Sequence, residues 1–297
     1  MEATPLEPAP DGLSDRDGLW LKREDLHEVG SFKWRGALPV LREYAEAGAD
    51  AVVTVSTGNH GAATAWAGRR AGVRAIVFVP EASSPPKLAM LRELGAQVEE
   101  VGADLDESKE TARDWAVQHS LPFFEDGAEP AQYGGYAEIG REIGEALSGR
   151  PARVLVAVGN GALLVGIARS LPGSAVGVVA KNAPVMARSV EAGEALTHPS
   201  SDTFADGMAV RVAVPRAVSE LVERRVPMVE VSEREIAAGV GRFAAAGIRV
   251  EGSPGAALAA DALLEPISGS TVVIVCGRNI DDDLHRRAVE APETFGG

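Results

Sequence analysis

Short apolar runs alternate along the chain with stretches that place their apolar residues on one helical face. We predict strands at residues 19–21, 51–55, 75–79, 95–101, 122–125, 154–158, 175–179, 228–231 and 271–275. We predict one helix that begins near residue 33 and ends near residue 47, and another that begins near residue 163 and ends near residue 170. We predict further helices at residues 62–71, 87–94, 105–119, 136–146, 185–192, 215–224, 233–245 and 255–264. Alternation of this kind, with strands rich in valine, isoleucine and alanine, is typical of parallel sheets covered by helices on both faces.

The order of these elements predicts two units, each an open, mostly parallel twisted sheet. Residues 38–131 form the smaller α/β unit, and residues 1–37 with 132–297 form the larger one. Residues 1–18 are predicted to be an irregular arm. We find no internal repeat and no flexible linker, so we expect the two units to share an extensive interface.

Composition and charge narrow the class of protein. The chain has 297 residues, 45% of them hydrophobic and 24% charged, which is typical of a globular protein. The formal charge of −14 argues against binding to nucleic acid or to an anionic membrane. The single cysteine, Cys276, excludes an internal disulfide framework and fits a reducing compartment. The acidic, proline-rich start is unlike a signal peptide, and the longest nearly apolar window, residues 154–168, is shorter than the ~18 residues of a membrane span. We expect a soluble cytoplasmic protein.

Lys33 lies in an unusual place for a cation. Gly30 and Ser31 break the chain after the first strand, and Lys33 follows at the start of a predicted helix, where the helix dipole disfavours positive charge. An amine that is neutral because it is covalently bonded would be favourable at this position. A charged lysine would be favourable there if an anion lay nearby. The alternative is an ordinary solvated surface lysine.

Two loops follow buried strands and open helices, at the sheet edge where α/β proteins bind ligands. The first contains Ser56, Thr57, Gly58, Asn59, His60 and Gly61. Its small residues allow backbone N–H groups to bind a carboxylate or phosphate at a helix N-terminus. The alternative is a helix cap in which Ser56 or Asn59 satisfies local amides, with His60 a packed residue.

The second loop, residues 159–163, reads Gly-Asn-Gly-Ala-Leu and could hold a phosphate. It is neither a Walker A loop nor a complete dinucleotide fingerprint. Cys276 ends the last predicted strand, where it is either a site residue or a small buried hydrophobe. The five histidines lack zinc-binding spacing, and no G-x-S-x-G elbow is present.

Taken in order, these features resemble those of a known family. The matching stretches are Thr4-Pro5-Leu6, residues 21–26 (LKREDL), 30–37 (GSFKWRGA), 56–61 (STGNHG), 159–163 (GNGAL) and 206–210 (DGMAV), Glu251-Gly252, and Gly277 with Asn279-Ile280-Asp281. They span nearly the whole chain and are similar to the fold-type II pyridoxal-phosphate enzymes: threonine and serine dehydratases, serine racemase, threonine synthase and cysteine synthase.

The resemblance implies a role for each candidate residue and an active site between the two domains. Lys33 would carry pyridoxal 5′-phosphate as an internal imine and, once released, remove the substrate α-proton. Asn59 would hydrogen-bond the cofactor's phenolic oxygen, and Cys276 would face the pyridine nitrogen and leave it largely unprotonated. The phosphate would be held by Gly159, Asn160, Gly161, Ala162 and Leu163, and the substrate carboxylate by Ser56, Thr57, Gly58 and His60. The implied reaction is β-elimination of a hydroxy amino acid such as threonine or serine to a 2-oxo acid and ammonia, by a homodimer that has residues 1–37 and 132–297 as its cofactor domain.

The sequence departs from the family's pattern at several positions. Asn160 and Ala162 interrupt the glycine loop, as in threonine-synthase-like members, and Arg278 replaces a small residue. Arg278 could pair with an acidic substrate side chain or be a solvated arginine. Thr57 stands where racemases have a serine, which argues against racemisation, and Lys181 replaces a metal-binding acidic residue, so we expect no metal. The sequence ends just after the last predicted core element, so we expect neither a regulatory domain nor feedback by isoleucine.

Two alternatives to the dehydratase stay open. One is a β- or γ-replacement synthase, in which a second nucleophile attacks the same type of intermediate. The other is a non-catalytic cofactor-binding protein, suggested by the altered glycine loop and Arg278.

Overall fold

A computed structural model describes residues 3–296, and within them the α/β prediction is confirmed. The strands are β1 (Leu6–Pro8), β2 (Leu19–Arg23), β3 (Ala51–Val55), β4 (Arg74–Val79), β5 (Gln97–Glu100), β6 (Arg153–Ala157), β7 (Ala175–Ala180), β8 (Met228–Val231) and β9 (Thr271–Val275). The helices are α1 (Trp34–Glu46), α2 (Asn59–Ala71), α3 (Pro85–Glu93), α4 (Leu105–Gln118), α5 (Pro130–Ala146), α6 (Ala162–Ser170), α7 (Val185–Ala192), α8 (Pro215–Glu223), α9 (Glu233–Ala245), α10 (Gly252–Leu263) and α11 (Asp282–Glu290).

Contacts divide the described chain into two compact units. The small unit is Phe32–Gly135, and the large unit consists of the described residues up to Ser31 and from Tyr136 onward. The division falls a few residues from the bounds predicted for the domains. The assignment of a cofactor domain and a substrate domain stays a prediction.

The large unit contains a six-stranded sheet in the order β1-β2-β9-β6-β7-β8. Only β1 is antiparallel to its neighbour; the other strands pair in parallel, with Leu21 opposite Val273 and Val154 opposite Val272. The carboxyl ends of β6 and β9 therefore lie at one edge of the sheet, as expected for parallel strands. Helices α9, α10 and α11 contribute Val240, Leu258 and Ala288 to the buried core on this sheet.

The small unit contains a three-stranded parallel sheet in the order β3-β4-β5. Its core joins Val53 and Ile76 of the sheet to Ala112 and Ala116 of α4, and all four are almost fully buried. The loop of residues 56–61 leaves the carboxyl end of β3 and opens α2.

Several predicted boundaries were wrong. The predicted strand at residues 122–125 is a single parallel bridge from Phe123 to Val53, because the chain turns again immediately afterwards. The arm of residues 1–18, which was predicted to be irregular, contains β1. Residues 1 and 2 of this arm lie outside the described part of the chain. Helices α2 and α5 begin earlier than predicted because Asn59 and Pro130 open them without apolar periodicity, and proline is well suited to a first helical position. Helix α11 was not predicted at all.

No helix within residues 3–296 is both long and apolar enough to cross a lipid bilayer.

Candidate active site

Lys33 lies where the sequence predicted, at the entry to α1. Its backbone is helical, with φ −58° and ψ −26°, and its carbonyl accepts hydrogen bonds from the N–H groups of Gly36 and Ala37 at 3.2 and 3.0 Å. Two residues earlier, Ser31 forms an antiparallel bridge with Gly277 in the large unit. The side chain of Lys33 therefore leaves the chain at the first turn of a helix.

The Lys33 ammonium is paired with a carboxylate that sequence reasoning missed. Its Nζ donates a hydrogen bond to Oδ2 of Asp126, within the small unit. The Lys33 side chain is 15% exposed and that of Asp126 is 27% exposed, so this is not a solvated surface lysine. The only available signal was position: Asp126 directly follows the segment predicted as a strand, at the ligand-binding edge of the sheet.

Asp126 is held from a second side by Gln132. The amide Nε2 of Gln132 donates to Oδ1 of Asp126 at 3.1 Å, and its Oε1 accepts from the N–H of Gly127 at 2.8 Å. Burial raises the pKa of Asp126, but the charge of Lys33, a smaller contribution from His60, and the two side-chain hydrogen bonds lower it by more. The pKa of Asp126 is consequently well below its usual range, and the carboxylate stays ionised.

His60 is packed inside the small unit. Its side chain is buried, and its Nε2 lies 3.0 Å from Thr54 Oγ1 and 3.3 Å from the Phe124 carbonyl oxygen. Its ring packs edge-on against the ring of Phe124, with 4.6 Å between the two ring centroids. Its Nδ1 lies 3.7 Å from Oδ1 of Asp126. Burial lowers the pKa of His60 more than Asp126 raises it, so the ring is neutral near neutral pH. A substrate contact by His60 stays a prediction.

The loop of residues 56–61 combines local hydrogen bonding with an open helix start. The Ser56 hydroxyl accepts from the N–H of Gly58 at 3.1 Å, and Gly58 precedes α2 without a side-chain cap. Thr57 and Asn59 are half-buried on either side of Gly58. A Cβ on Gly61 would lie 2.5 Å from the Ser56 carbonyl, so this position requires glycine. The cap suggested as an alternative is therefore made to Gly58 and not to the helix.

In the large unit, the conformation of the loop of residues 159–163 depends on two glycines, which have no Cβ. A Cβ on Gly159 would collide with the carbonyl of Gly207, and Gly161 has a φ of +87°, which favours glycine. The side chain of Asn160 accepts from the N–H of Ala162 at 3.1 Å, at the start of α6. Leu163 is buried in the first turn of that helix. The loop leads into a helix N-terminus, a suitable place for an anion.

The end of β9 lies at the same sheet edge. Cys276 is a reduced thiol, 3% exposed, and the next residue, Gly277, is so close to Glu251 that a Cβ would lie 2.7 Å from the carboxyl group. Arg278 is half-buried and donates its backbone N–H to the Gly30 carbonyl at 2.9 Å. Ser31, opposite Gly277, is fully buried, and its hydroxyl has no hydrogen-bond partner among residues 3–296. Sequence reasoning included Ser31 only in a matching motif, not as a site residue.

Comparison with known proteins covers most of the chain. A family model described as pyridoxal-phosphate dependent enzyme matches residues 1–277. The chain is 33% identical over 275 residues to the L-threonine ammonia-lyase of Geobacter sulfurreducens, covering 89% of this chain and 67% of that protein. It is 31% identical over 285 residues to the L-serine dehydratase/L-threonine deaminase of Bos taurus, covering 87% and 85%. Its fold resembles that of the processed threonine deaminase isoform 2 of Solanum lycopersicum with a TM-score of 0.89, at 29% identity over 97% of this chain and 82% of that one.

Proposed function

This chain belongs to the family of pyridoxal-phosphate-dependent enzymes, and from this premise we propose that it is an ammonia-lyase acting on a hydroxy amino acid such as serine or threonine. It uses pyridoxal phosphate and catalyses β-elimination, which yields a 2-oxo acid and ammonia. The family, fold class and cofactor predicted from the motifs are thereby confirmed.

The observation that carries the proposal is the environment of Lys33. A surface lysine would be solvated, whereas Lys33 is 15% exposed and pairs with Asp126 at a helix start. A mostly buried amine beside a fixed carboxylate is held at a defined place, which a catalytic base or a covalent attachment point requires.

The large unit has the features that a phosphate-bearing aromatic cofactor requires. The loop approaches its neighbours closely, because a Cβ on Gly159 would collide with the Gly207 carbonyl, and the buried hydroxyl of Ser31 has no partner within the described part of the chain. Cys276 offers a neutral, weakly acidic group at the end of β9. We infer that residues 159–163 hold the phosphate, that Asn59 and Cys276 bind the ring, and that Lys33 is the attachment point.

When bound, pyridoxal phosphate supplies an electron sink that makes the α-proton of an amino acid removable. Lys33 then acts as the base: the α-C–H bond breaks and the proton moves to Nζ. Cys276 would face the ring nitrogen and, as a weakly acidic thiol, would leave it largely unprotonated, which would favour prompt loss of the β-hydroxyl.

We propose that the loop of residues 56–60 binds the substrate carboxylate. What supports this is its place at the start of α2, where the helix dipole favours an anion. The Ser56 hydroxyl accepts from Gly58 and can still donate its own hydrogen to a carboxylate oxygen. Thr57 and His60 complete the proposed contact set.

The oligomeric state, the location and the roles of the two units are proposed from more general properties. We propose a homodimer, by analogy with the family, and a cytoplasmic location, for a chain whose single cysteine builds no internal disulfide framework. We also propose the large unit as the cofactor domain and the small unit as the substrate domain.

The test is a spectrum followed by a substrate panel. Purified protein is mixed with pyridoxal phosphate, and L- and D-serine, L-threonine, 3-hydroxyaspartate and O-phosphohomoserine are scored for release of 2-oxo acid. A cofactor absorbance band with oxo-acid release from a hydroxy amino acid is expected. A band that shifts with amino acid but releases nothing would favour the replacement synthase, and a protein that develops no band would favour a non-catalytic role.

A further inference from the structure

We propose that Asp126 is a positioning residue for Lys33: it accepts a hydrogen bond from Nζ and holds the amine in one place, where the amine can react. The inference rests on the proposed role of Lys33. It assigns a function to a residue that carries no recognisable motif.

The first support is geometric. Asp126 uses its two carboxylate oxygens for two different partners: Oδ2 accepts from Nζ of Lys33, and Oδ1 accepts from Gln132 at 3.1 Å. Gln132 is itself fully buried and tied to the backbone of Gly127. The carboxylate is thus fixed before it meets the lysine, and a fixed acceptor orients a flexible four-carbon side chain.

The second support is electrostatic. The charged or titratable groups described at Asp126 are Lys33, from the start of α1, and His60, from α2. His60 is neutral near neutral pH because burial lowers its pKa. The neighbouring Glu125 bonds instead to Lys109 and Arg113, at 2.6 and 2.5 Å. The main charge facing Asp126 is therefore the Lys33 ammonium.

The carboxylate stays charged beside the amine. The Lys33 charge lowers the pKa of Asp126, so Asp126 is ionised and available as an acceptor for Nζ. When Lys33 takes the substrate α-proton, the electron pair stays on the substrate and a new ammonium forms at Nζ. A carboxylate already in place neutralises that charge without reorganisation.

The experiment compares Asp126→Asn with Glu125→Gln, a neighbouring carboxylate that does not touch Lys33. The probe is pyridoxal phosphate: its covalent attachment to Lys33 is trapped with borohydride and followed by mass over time. Because a neutral amide is a weaker acceptor and no longer fixes Nζ, Asp126→Asn should slow attachment by roughly tenfold. Glu125→Gln should follow the wild-type time course.

Turnover provides the second readout. Asp126→Asn should lower kcat with little change in KM, and Asp126→Glu should restore much of the wild-type rate of attachment even if kcat stays low. A wild-type rate of attachment in Asp126→Asn, or an equal slowing in Glu125→Gln, would overturn the inference. If Asp126→Asn does not fold, a wild-type rate of attachment in a folded Gln132→Leu variant, which loses the second anchor of Asp126, would equally count against it.

Failure of the proposed function is distinguishable. If attachment persists in Lys33→Ala, the role of Lys33 is wrong. If attachment requires Lys33 but ignores Asp126, only this inference is wrong.

Discussion

The two units present their candidate chemistry by opposite means. In the small unit, side chains carry it: the Lys33 ammonium and the Asp126 carboxylate are paired, with Gln132 and His60 packed around them. In the large unit, the candidate site consists mainly of backbone, because Gly159 and Gly277 each lie where a Cβ would collide with a neighbour.

The difference teaches what each region can tolerate. A site made of charged side chains is lost when one group is removed, although the backbone around it can stay intact. A site made of exposed backbone keeps its donors through most side-chain changes but is lost when a single methyl group is added. The following experiments test this contrast, beginning with the largest expected effect.

Removal of the Lys33 amine should abolish the chemistry and leave the fold. For Lys33→Ala we expect turnover to fall by about 10³-fold or more, because both the attachment point and the base are lost. The circular dichroism spectrum should match wild type, and Lys181→Ala, which removes an exposed lysine, is the control. Near-normal oxo-acid release by Lys33→Ala would refute the mechanism.

Addition of one methyl group should be more damaging at Gly159 in the large unit than at Gly58 in the small unit. In Gly159→Ala the new Cβ meets the Gly207 carbonyl, so we expect destabilisation by about 1–3 kcal/mol and weaker cofactor retention. The matched control is Gly58→Ala in the small unit, where a Cβ would have no atom within 4 Å and φ is −119°. Urea unfolding and cofactor titration measure both effects, and equal losses in the two variants would break the contrast.

Arg278 is a side chain in the region otherwise shaped by backbone. It forms no side-chain hydrogen bond or ion pair that the described residues provide, so it can pair with an acidic substrate. For Arg278→Ala we expect kcat/KM for 3-hydroxyaspartate to fall by about tenfold relative to serine, the size typical of a partly exposed charge pair. An unchanged ratio would remove Arg278 from the site.

Two carboxylates should give opposite pH dependences of stability. The pKa of Asp126 is lowered, so its contribution is present above the unfolded value of about 4 and is lost as pH falls through the folded value. Burial raises the pKa of Glu233, which accepts from Thr203 and from the Phe204 N–H at 3.0 Å, so its contribution is present at low pH and is lost as pH rises.

Urea unfolding from pH 7 down to pH 3 measures these smaller effects. The stability advantage of wild type over Asp126→Asn should shrink with acid. Glu233→Gln should gain relative to wild type at neutral pH and lose that gain near pH 4. The same direction of change in both variants would contradict the assignment.

The sequence by itself determined the repeating elements and the family. Apolar periodicity is a local property, so β3, β8 and β9 were predicted with the bounds that the structure has, and the loops at their carboxyl ends followed from strand direction. Lys33 at a helix start and the glycines of residues 159–161 were recognisable because their signals lie within a few residues. Helices such as α2 and α5 were predicted too short because their first turns are not apolar.

Only the tertiary structure decided which distant groups meet. Asp126 lies 93 residues from Lys33, and strand pairing places the segment containing it beside β3, so no local pattern could have identified the pair. The burial of His60 against Phe124 and of Ser31 opposite Gly277 depends in the same way on segments that are remote in sequence. Periodicity specifies which face of an element is apolar, whereas the partner of a charged group depends on how the chain closes over it.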